Sequence, residues 1–353
     1  SFDFRWYRSD NKYGNNAILI GTNQNYTLTT EDVDKFIAFS ARKLNSYGGV
    51  ESVKTSEFIK ITKVNAADDQ ALNATVLLSF RQLRKTYTGP LLRVRREKDN
   101  REMDIPFTSS GYLDQDILVR FSNYGNVYVS VWYDQSGNGR DGIQTSAFNQ
   151  PRIVNAGVLF TQNSLASINC YDNNRCAFNI TEGGFGGNTI LTNKSYGYAF
   201  VAARTAQTTA TRRTLFSIAS TNINSSRFYI GAIASSNAMA MGGKRLDTDT
   251  LESTSTTTHG SAFNLLTGVA RYADAEAYLY KNGVLEGSKV PFQTAGATSN
   301  TGSYGYESYI GSGRGDVAGG IENGSVSEVV IYNTDKASDR AAIETNIMTY
   351  YSI

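Results

Sequence analysis

Within ten residues of chain, Trp132, Tyr133, Asp134, Gln135, Asn138, Arg140 and Asp141 gather the side-chain types that hold a sugar. Aromatic faces pack on the C–H surface of a saccharide, and carboxylates, amides and guanidinium groups hydrogen-bond its hydroxyls. All seven stand in "SVWYDQSGNGRDGIQ" (Ser130–Gln144), where Gly137, Gly139 and Gly142 let the backbone turn sharply at a strand end. The same residues have a structural reading. The stretch would then be a corner whose polar groups tie down its own backbone. Strand alternation sends only one of Trp132 and Tyr133 toward a core.

Other chemistries are thinly provided. The chain has one histidine, His259 in "TSTTTHGS", so neither a His-rich metal site nor a confident Ser–His–Asp arrangement can be built. No cofactor is expected. Asp134, Asp141 and Asp316 could offer oxygen ligands to Ca²⁺, without EF-hand spacing to support it. Cys170 and Cys176 flank a five-residue Asp/Asn-rich interval. Such an interval closes as a small disulfide loop in an oxidising compartment, with two free thiols as the alternative. "LLRVRREKDNR" sets Arg93 and Arg95 on one strand face with Arg96, Lys98 and Arg101 nearby, but Glu97, Asp99, Glu102 and Asp104 neutralise most of that charge. The "RGD" at Arg314–Asp316 reads as a glycine-rich turn, and the six Asn-x-Ser/Thr tripeptides are what an Asn- and Thr-rich chain produces by chance.

The elements that would carry these groups are mostly strands. Tyr is abundant (22 residues) and Pro scarce (4), while 32 glycines serve turns. Short alternating stretches read as strands: "VYVSVWY", "GYAFVAAR", "TLFSIAS", "RFYIGAI", "SYIGSG" and "SVSEVVIYN". In "AEAYLYKNGVLEGS", Asn282–Gly283 marks a hairpin turn. A helix is expected over "TTEDVDKFIAFSARKLNSYGG", capped by Thr29 or Thr30, with Val33, Phe36, Ile37, Ser40 and Leu44 on one face. A second is expected at about Ala66–Thr86, and a terminal one over "KASDRAAIETNIMTYY" with Ser338 as its cap. "SEFIKITKV" reads as a strand. The pattern predicts a mainly β chain: residues 66–353 form a jelly-roll β-sandwich closed by the C-terminal helix, and residues 1–65 form a small α/β arm.

With 353 residues, a formal charge of +2 and 19% charged residues, the chain is large enough for an ample core. Near-neutral charge gives no reason to expect nucleic acid as partner, and no apolar run reaches the length of a bilayer span. Ser1 opens the sequence without a charged and apolar leader, so a leader is expected to have been removed or replaced by another route out of the cell.

Three stretches in order, "RQLRKTYTGPLLRVRR" (Arg81–Arg96), "GYLDQD" (Gly111–Asp116) and "VWYDQSGNGRDGIQ" (Val131–Gln144), resemble the catalytic domain of the α-L-arabinofuranosidase B family. The downstream half resembles concanavalin A-like (laminin G-like) sandwiches more broadly. The resemblance covers residues 66–353, implies a concanavalin A-like jelly roll, and makes a glycan or polysaccharide the expected partner. It also implies two carboxylates about 5 Å apart, as retaining hydrolysis needs. The acid/base would fall on Asp316 in "YIGSGRGDVAGG", one residue out of register. The family's Asp-Met-Glu-Asn nucleophile string is missing; the nearest acids are Asp247, Asp249 and Glu252, with Glu307 a further candidate. The family's vicinal cysteine pair is replaced by Thr214–Leu215.

The expected function is therefore a non-enzymatic module, extracellular on a cell or virion surface, that binds glycans or decorates a larger assembly. Residues 1–65 would anchor it or mediate self-association. The alternatives are an arabinofuranosidase-like retaining glycoside hydrolase and a purely structural assembly protein.

Overall fold

In a computed structural model, the protein is described over residues 2–26, 29–32, 35–60, 73–170, 177–180, 190–204, 213–220, 227–232, 238–246, 248–249, 252–258, 262–287, 290–291, 294–299, 307–311 and 324–353. Two compact units divide the chain, Ser1–Asn65 and Ala66–Ile353.

The first unit is an antiparallel sheet. Phe2–Ser9 pairs with Ile18–Gly21 on one side and with Phe36–Leu44 on the other. Phe36–Leu44 in turn pairs with Val50–Thr55 and Ile59–Lys60. The helix expected from Thr29 to Gly48 is absent. A single 3-10 turn at Thr30–Asp32 leads straight into the strand, whose eight-residue register with Phe2–Ser9 runs unbroken from Phe36↔Ser9 to Lys43↔Phe2. Pairing overrode the helical spacing, helped by Phe36, Ile37 and Phe39, which suit a pleated surface better than a helix. Glu31 and Asp32, which would fill the first turn of such a helix, grip Arg8 at 3.0 Å and 3.1 Å. "SEFIKITKV" yields only Ile59–Lys60 as strand before the described residues break off.

The second unit is a two-sheet sandwich. Its strands form one hydrogen-bonded circuit pressed into two facing layers. From Val127–Trp132, one layer runs through Arg152–Asn155, Ile168–Cys170, Gly324–Tyr332, Tyr196–Arg204, Phe263–Arg271 and Glu276–Lys281. The other runs through Gly142–Ile143, Phe178–Ile180, Glu307–Ile310, Arg213–Ser220, Phe228–Ala232, Ala238–Gly243 and Glu252–Thr258. Val94, Val129, Trp132, Phe178, Val201, Phe216, Ile230 and Leu266 fill the space between them. The layers approach so closely that a side chain at Gly268 would strike Phe228, Ile230 and Met241 from the opposite sheet. Asn282 and Gly283, both at positive φ, make the hairpin turn that joins Tyr280↔Leu285.

The expected helix at Ala66–Thr86 is corrected too. Val76–Ser79 is a buried strand, registered with Gly324–Tyr332 as Val76↔Ile331 and Ser79↔Glu328. A continuous apolar run reads alike as buried helix or buried strand, and here the β-branched Thr75 and Val76 lead into a sheet. Residues 66–72 lie outside the described residues. A helix that composition had not announced spans Gln115–Ser122, with the Asp114 carboxylate accepting from the Ile117 amide at 3.0 Å. The terminal helix runs Arg340–Tyr351 and covers the outer face of one sheet, packing Ile343, Ile347 and Tyr351 on Phe200, Phe263 and Tyr332. Its cap position is Asp339, not Ser338, whose hydroxyl donates to the Asp339 carboxylate. Beneath the helix a buried Arg81–Glu328 pair, 2.9 Å apart, is completed by Ser79 and Asn346, and the Arg81 guanidinium lies over the Tyr350 ring.

Candidate functional site

The Val127–Trp132 strand ends where Trp132 turns inward with no exposed surface, stacked on Phe80 at 5.0 Å and tilted against Phe178 at 6.1 Å. Tyr133 turns outward, so only one of the pair faces the core, as alternation required. Trp132 is thus a core residue and offers no face to a sugar.

Asp134, Gln135 and Ser136 are buried as well, and their side chains serve the backbone of two neighbouring segments. The Asp134 carboxylate accepts from the Leu77 amide at 2.8 Å, the Ser136 amide at 2.9 Å, the Arg140 amide at 3.0 Å and the Ser136 hydroxyl. The Gln135 side chain accepts from the Leu83 amide at 2.7 Å and donates to the Arg81 carbonyl at 3.0 Å. One edge of this segment is bridged to Tyr112, and on the other edge Gln135 does what a partner strand would do for the Leu83 amide and the Arg81 carbonyl. Asn138 donates to the Ala74 and Thr75 carbonyls, and Arg140 reaches the Thr75 carbonyl at 3.0 Å. Asp141 accepts from the Asp134 amide at 2.8 Å. Gly137 and Gly139, at φ of 83° and 68°, make the reversal that lets one short loop face its own carboxylate. The corner reading therefore describes Asp134, Gln135, Asn138 and Arg140. Both Asp134 oxygens already accept two donors each, which removes Asp134 from a Ca²⁺ ligand set.

What remains open to solvent is a patch beside this corner. Tyr133 is half-buried, and its hydroxyl donates to Asp104 at 2.9 Å. Arg93 holds the same carboxylate in a two-pronged ion pair, both contacts at 2.8 Å. Arg93 keeps the Asp104 carboxyl below the usual range, while partial burial and the bond to Asp104 push the Tyr133 phenol up to about 12. Tyr87, within electrostatic reach of Asp141, Asp104 and Tyr133, sits edge-on to Phe107 and donates to the Pro90 carbonyl. Burial raises the Asp141 carboxyl, with the Asp134 charge adding to it. Two half-exposed phenols, one fixed carboxylate and one fixed guanidinium can stack on a sugar and bond its hydroxyls without reorganising. Sequence reasoning had Tyr133 and Asp141 but not Tyr87, Arg93 or Asp104 as members of a site. The alternating Arg93/Asp104 charges on paired strands were the available signal.

The hydrolytic carboxylates are harder to assemble. Asp316, Asp247, His259 and the Arg314–Asp316 tripeptide lie outside the described residues. Asp249 caps its own turn, accepting from the Leu246 amide at 3.0 Å. The strands that carry Glu252 and Glu307 stand four places apart in one sheet, about 19 Å at the usual strand spacing. Thr214 and Leu215 are buried in the Arg213–Ser220 strand. Cys170 is disulfide-bonded; the other cysteine of the chain, Cys176, lies outside the described residues. Of the basic stretch, Arg93 pairs with Asp104, and Arg96 and Arg101 with Asp99. No helix among the described residues is long and apolar enough to cross a membrane.

Residues 71–282 match the family described as "Alpha-L-arabinofuranosidase B, catalytic". The chain belongs to that family. The fold found here is a mainly β sandwich with a C-terminal helix. An arabinofuranosidase solved with arabinofuranosyl-α-1,2-xylobiose is similar with a TM-score of 0.48 and 14% identity, over 80% of this chain and 64% of that one. The CBM40 module of a Ruminococcus gnavus sialidase gives a TM-score of 0.35 and 16% identity, over 44% of this chain and 84% of that one. The binding domain of botulinum neurotoxin serotype D gives 0.43 and 10%, over 74% and 51%. The chain thus spans somewhat under two thirds of the arabinofuranosidases it matches. No curated protein sequence matches it. The family match ends at residue 282, before Glu307 and Asp316.

Proposed function

We propose that this arabinofuranosidase B-family chain is a non-enzymatic glycan-binding module, displayed outside the cell on a cell or virion surface. The observation that carries the reading is the half-exposed Tyr133, held by an Asp104 carboxylate that Arg93 fixes from the other side. A ring presented rigidly beside two bonded charged groups loses little freedom when a sugar settles on it. Cys170 in a disulfide fits an oxidising compartment. In the first unit Phe2, Phe4, Phe39, Trp6 and Tyr26 form a run of touching rings, with Phe2 61% exposed, and this strip supports anchoring or self-association through residues 1–65. A glycan array with the whole chain and a Tyr133→Ala variant tests the reading. Binding lost by a variant that melts like the parent supports it; an array on which the parent binds nothing overturns it.

Family membership favours one second reading, a retaining arabinofuranosidase using Asp316 with Asp247, Glu252 or Glu307. Release of 4-nitrophenol from its α-L-arabinofuranoside, abolished by Asp316→Asn, would establish that reading in place of the first.

A further inference from the structure

The hydrogen bonds of the Tyr133 patch leave a defined pair of groups unused at the surface. Strand pairing sets Arg93 opposite Asp104, and the Tyr133 amide, donating to the Leu91 carbonyl at 3.1 Å, fixes the ring beside them. Asp104 Oδ1 accepts from Arg93 Nε at 2.8 Å and from the Tyr133 hydroxyl at 2.9 Å, which fills its two lone pairs. Asp104 Oδ2 accepts from Arg93 Nη2 at 2.8 Å. Among the described residues these three are the hydrogen bonds of the two side chains. One lone pair of Oδ2 and the second hydrogen of Nη2 therefore remain, on atoms 2.8 Å apart. Both side chains are open to water, Arg93 43% exposed and Asp104 39%.

An acceptor and a donor at that spacing match two neighbouring hydroxyls of a pyranose ring. Hydroxyls on adjacent carbons that are gauche, whether both equatorial or one axial and one equatorial, stand about a hydrogen-bond length apart. One gives its proton to Oδ2 while its neighbour accepts from Nη2. A trans-diaxial pair spans too far to do both. The ion pair stays intact throughout, since the sugar uses only valences that the pair does not fill. The charge of the patch fits a neutral ring. Arg93 and Asp104 cancel, and the charged groups felt next by Arg93 and Tyr133 are the acids Glu102 and Asp141. A sugar carboxylate would meet like charge there.

We infer that the Arg93–Asp104 edge reads a gauche vicinal diol of a neutral pyranose while the Tyr133 ring packs on the C–H face of the same sugar. The inference rests on the glycan-binding reading above and narrows it to a ligand class: pyranoses with two free adjacent hydroxyls, and not uronates. Because water can replace a missing hydroxyl at this open edge, the discrimination should be about tenfold, far below that of a closed pocket.

Binding of the whole chain to immobilised galactomannan, arabinoxylan and dextran, each native and after periodate cleavage with borohydride reduction, tests this. Periodate splits the carbon–carbon bond of a vicinal diol and reduction leaves neutral alcohols, so the diol is removed without added charge. The parent should bind at least one native polymer at least tenfold tighter than its cleaved form, and at least tenfold tighter than polygalacturonate. Opening the ring also costs stacking on Tyr133, so the deciding quantity is the native-to-cleaved ratio in Asp104→Asn. That variant keeps an oxygen for the Tyr133 hydroxyl but replaces the second carboxylate oxygen, and the ratio should fall about tenfold. Arg93→Lys, which keeps the charge and loses the fork, should lower it likewise. With both side chains exposed, both variants should melt like the parent. Three results overturn the inference: equal binding of native and cleaved polymers, a ratio that both variants leave unchanged, or polygalacturonate bound as tightly as the neutral polymers. A chain whose binding is lost in Tyr133→Ala but is indifferent to diol cleavage refutes this inference alone. A chain that binds no neutral polymer refutes the glycan-binding reading with it.

Discussion

The Trp132–Asp141 corner and a cross-strand row on the outer face of one sheet, where Arg95, Tyr128, Arg152, Asn169, Ser325 and Arg204 stand opposite one another in turn, are both dense in polar side chains, and they treat buried polar atoms in opposite ways. In the corner, Asp134 accepts four hydrogen bonds, Gln135 both accepts and donates, and each bond ends on a neighbouring amide, carbonyl or hydroxyl of the same sandwich. In the row, Asn169 Oδ1 and Ser325 Oγ have no hydrogen-bond partner among the described residues. A polar group that is fully satisfied inside the chain is holding the chain together. One that is buried and unsatisfied destabilises the fold, and the chain keeps it for some other reason. The contrast separates architecture from recognition more sharply than residue type does, since a ligand could be drawn onto either set.

The largest test of that separation is Asp134→Ala. The substitution strands the Leu77, Ser136 and Arg140 amides, two of them in buried surroundings, and should destabilise the sandwich by about 4 kcal/mol. Urea denaturation followed by tryptophan fluorescence measures it directly, because Trp132 lies in the core next to the corner. A loss under about 1 kcal/mol would mean that water replaces the carboxylate, and the corner would lose its structural meaning.

Next in size is Tyr133→Ala, where the effect should appear in binding and not in folding. Loss of one stacking ring at a half-exposed site is expected to weaken glycan affinity about tenfold, with stability changed by less than about 1 kcal/mol. Because Arg93 keeps Asp104 ionised well below neutrality and the phenol of Tyr133 titrates only near 12, affinity should be flat between about pH 6 and 9. A steep dependence in that interval, measured by calorimetry at several pH values, would place the binding group elsewhere.

How much of this was legible beforehand differs between the same regions. The sandwich strands announced themselves through alternation and through Asn282–Gly283, whose turn needs positive φ at both residues. That only one of Trp132 and Tyr133 faces inward followed from period two; that it is Trp132 came from the structure. The N-terminal strand Phe36–Leu44 did not, because Val33, Phe36, Ile37 and Leu44 also fit a helical face, and its partner strand lies some thirty residues away in sequence. The polar corner advertised itself by composition, yet composition is silent on whether an Asp meets a sugar or the Leu77 amide. The row left no mark at all. Asn169 lies between Ile168 and Cys170, Ser325 is one of three polar side chains in the long strand Gly324–Tyr332, more than 150 positions away, and only strand register brings the two face to face.

The smallest effect comes from Asp141, where corner and patch meet. Burial raises its carboxyl above the ordinary aspartate value, so the folded chain holds that proton more tightly than the unfolded chain does. Ionised Asp141 therefore weakens the fold at neutral pH, and the penalty fades as pH falls through the raised folded value. Asp141→Asn keeps an oxygen to accept from the Asp134 amide while removing the charge beside Asp134. At pH 7 the variant should be more stable than its parent by about 1 kcal/mol at most, and the difference should vanish toward about pH 4. Melting curves taken across that range decide it. A variant less stable than the parent at pH 7 would mean that the charge itself holds the loop, and the corner would then depend on electrostatics as well as on satisfied hydrogen bonds.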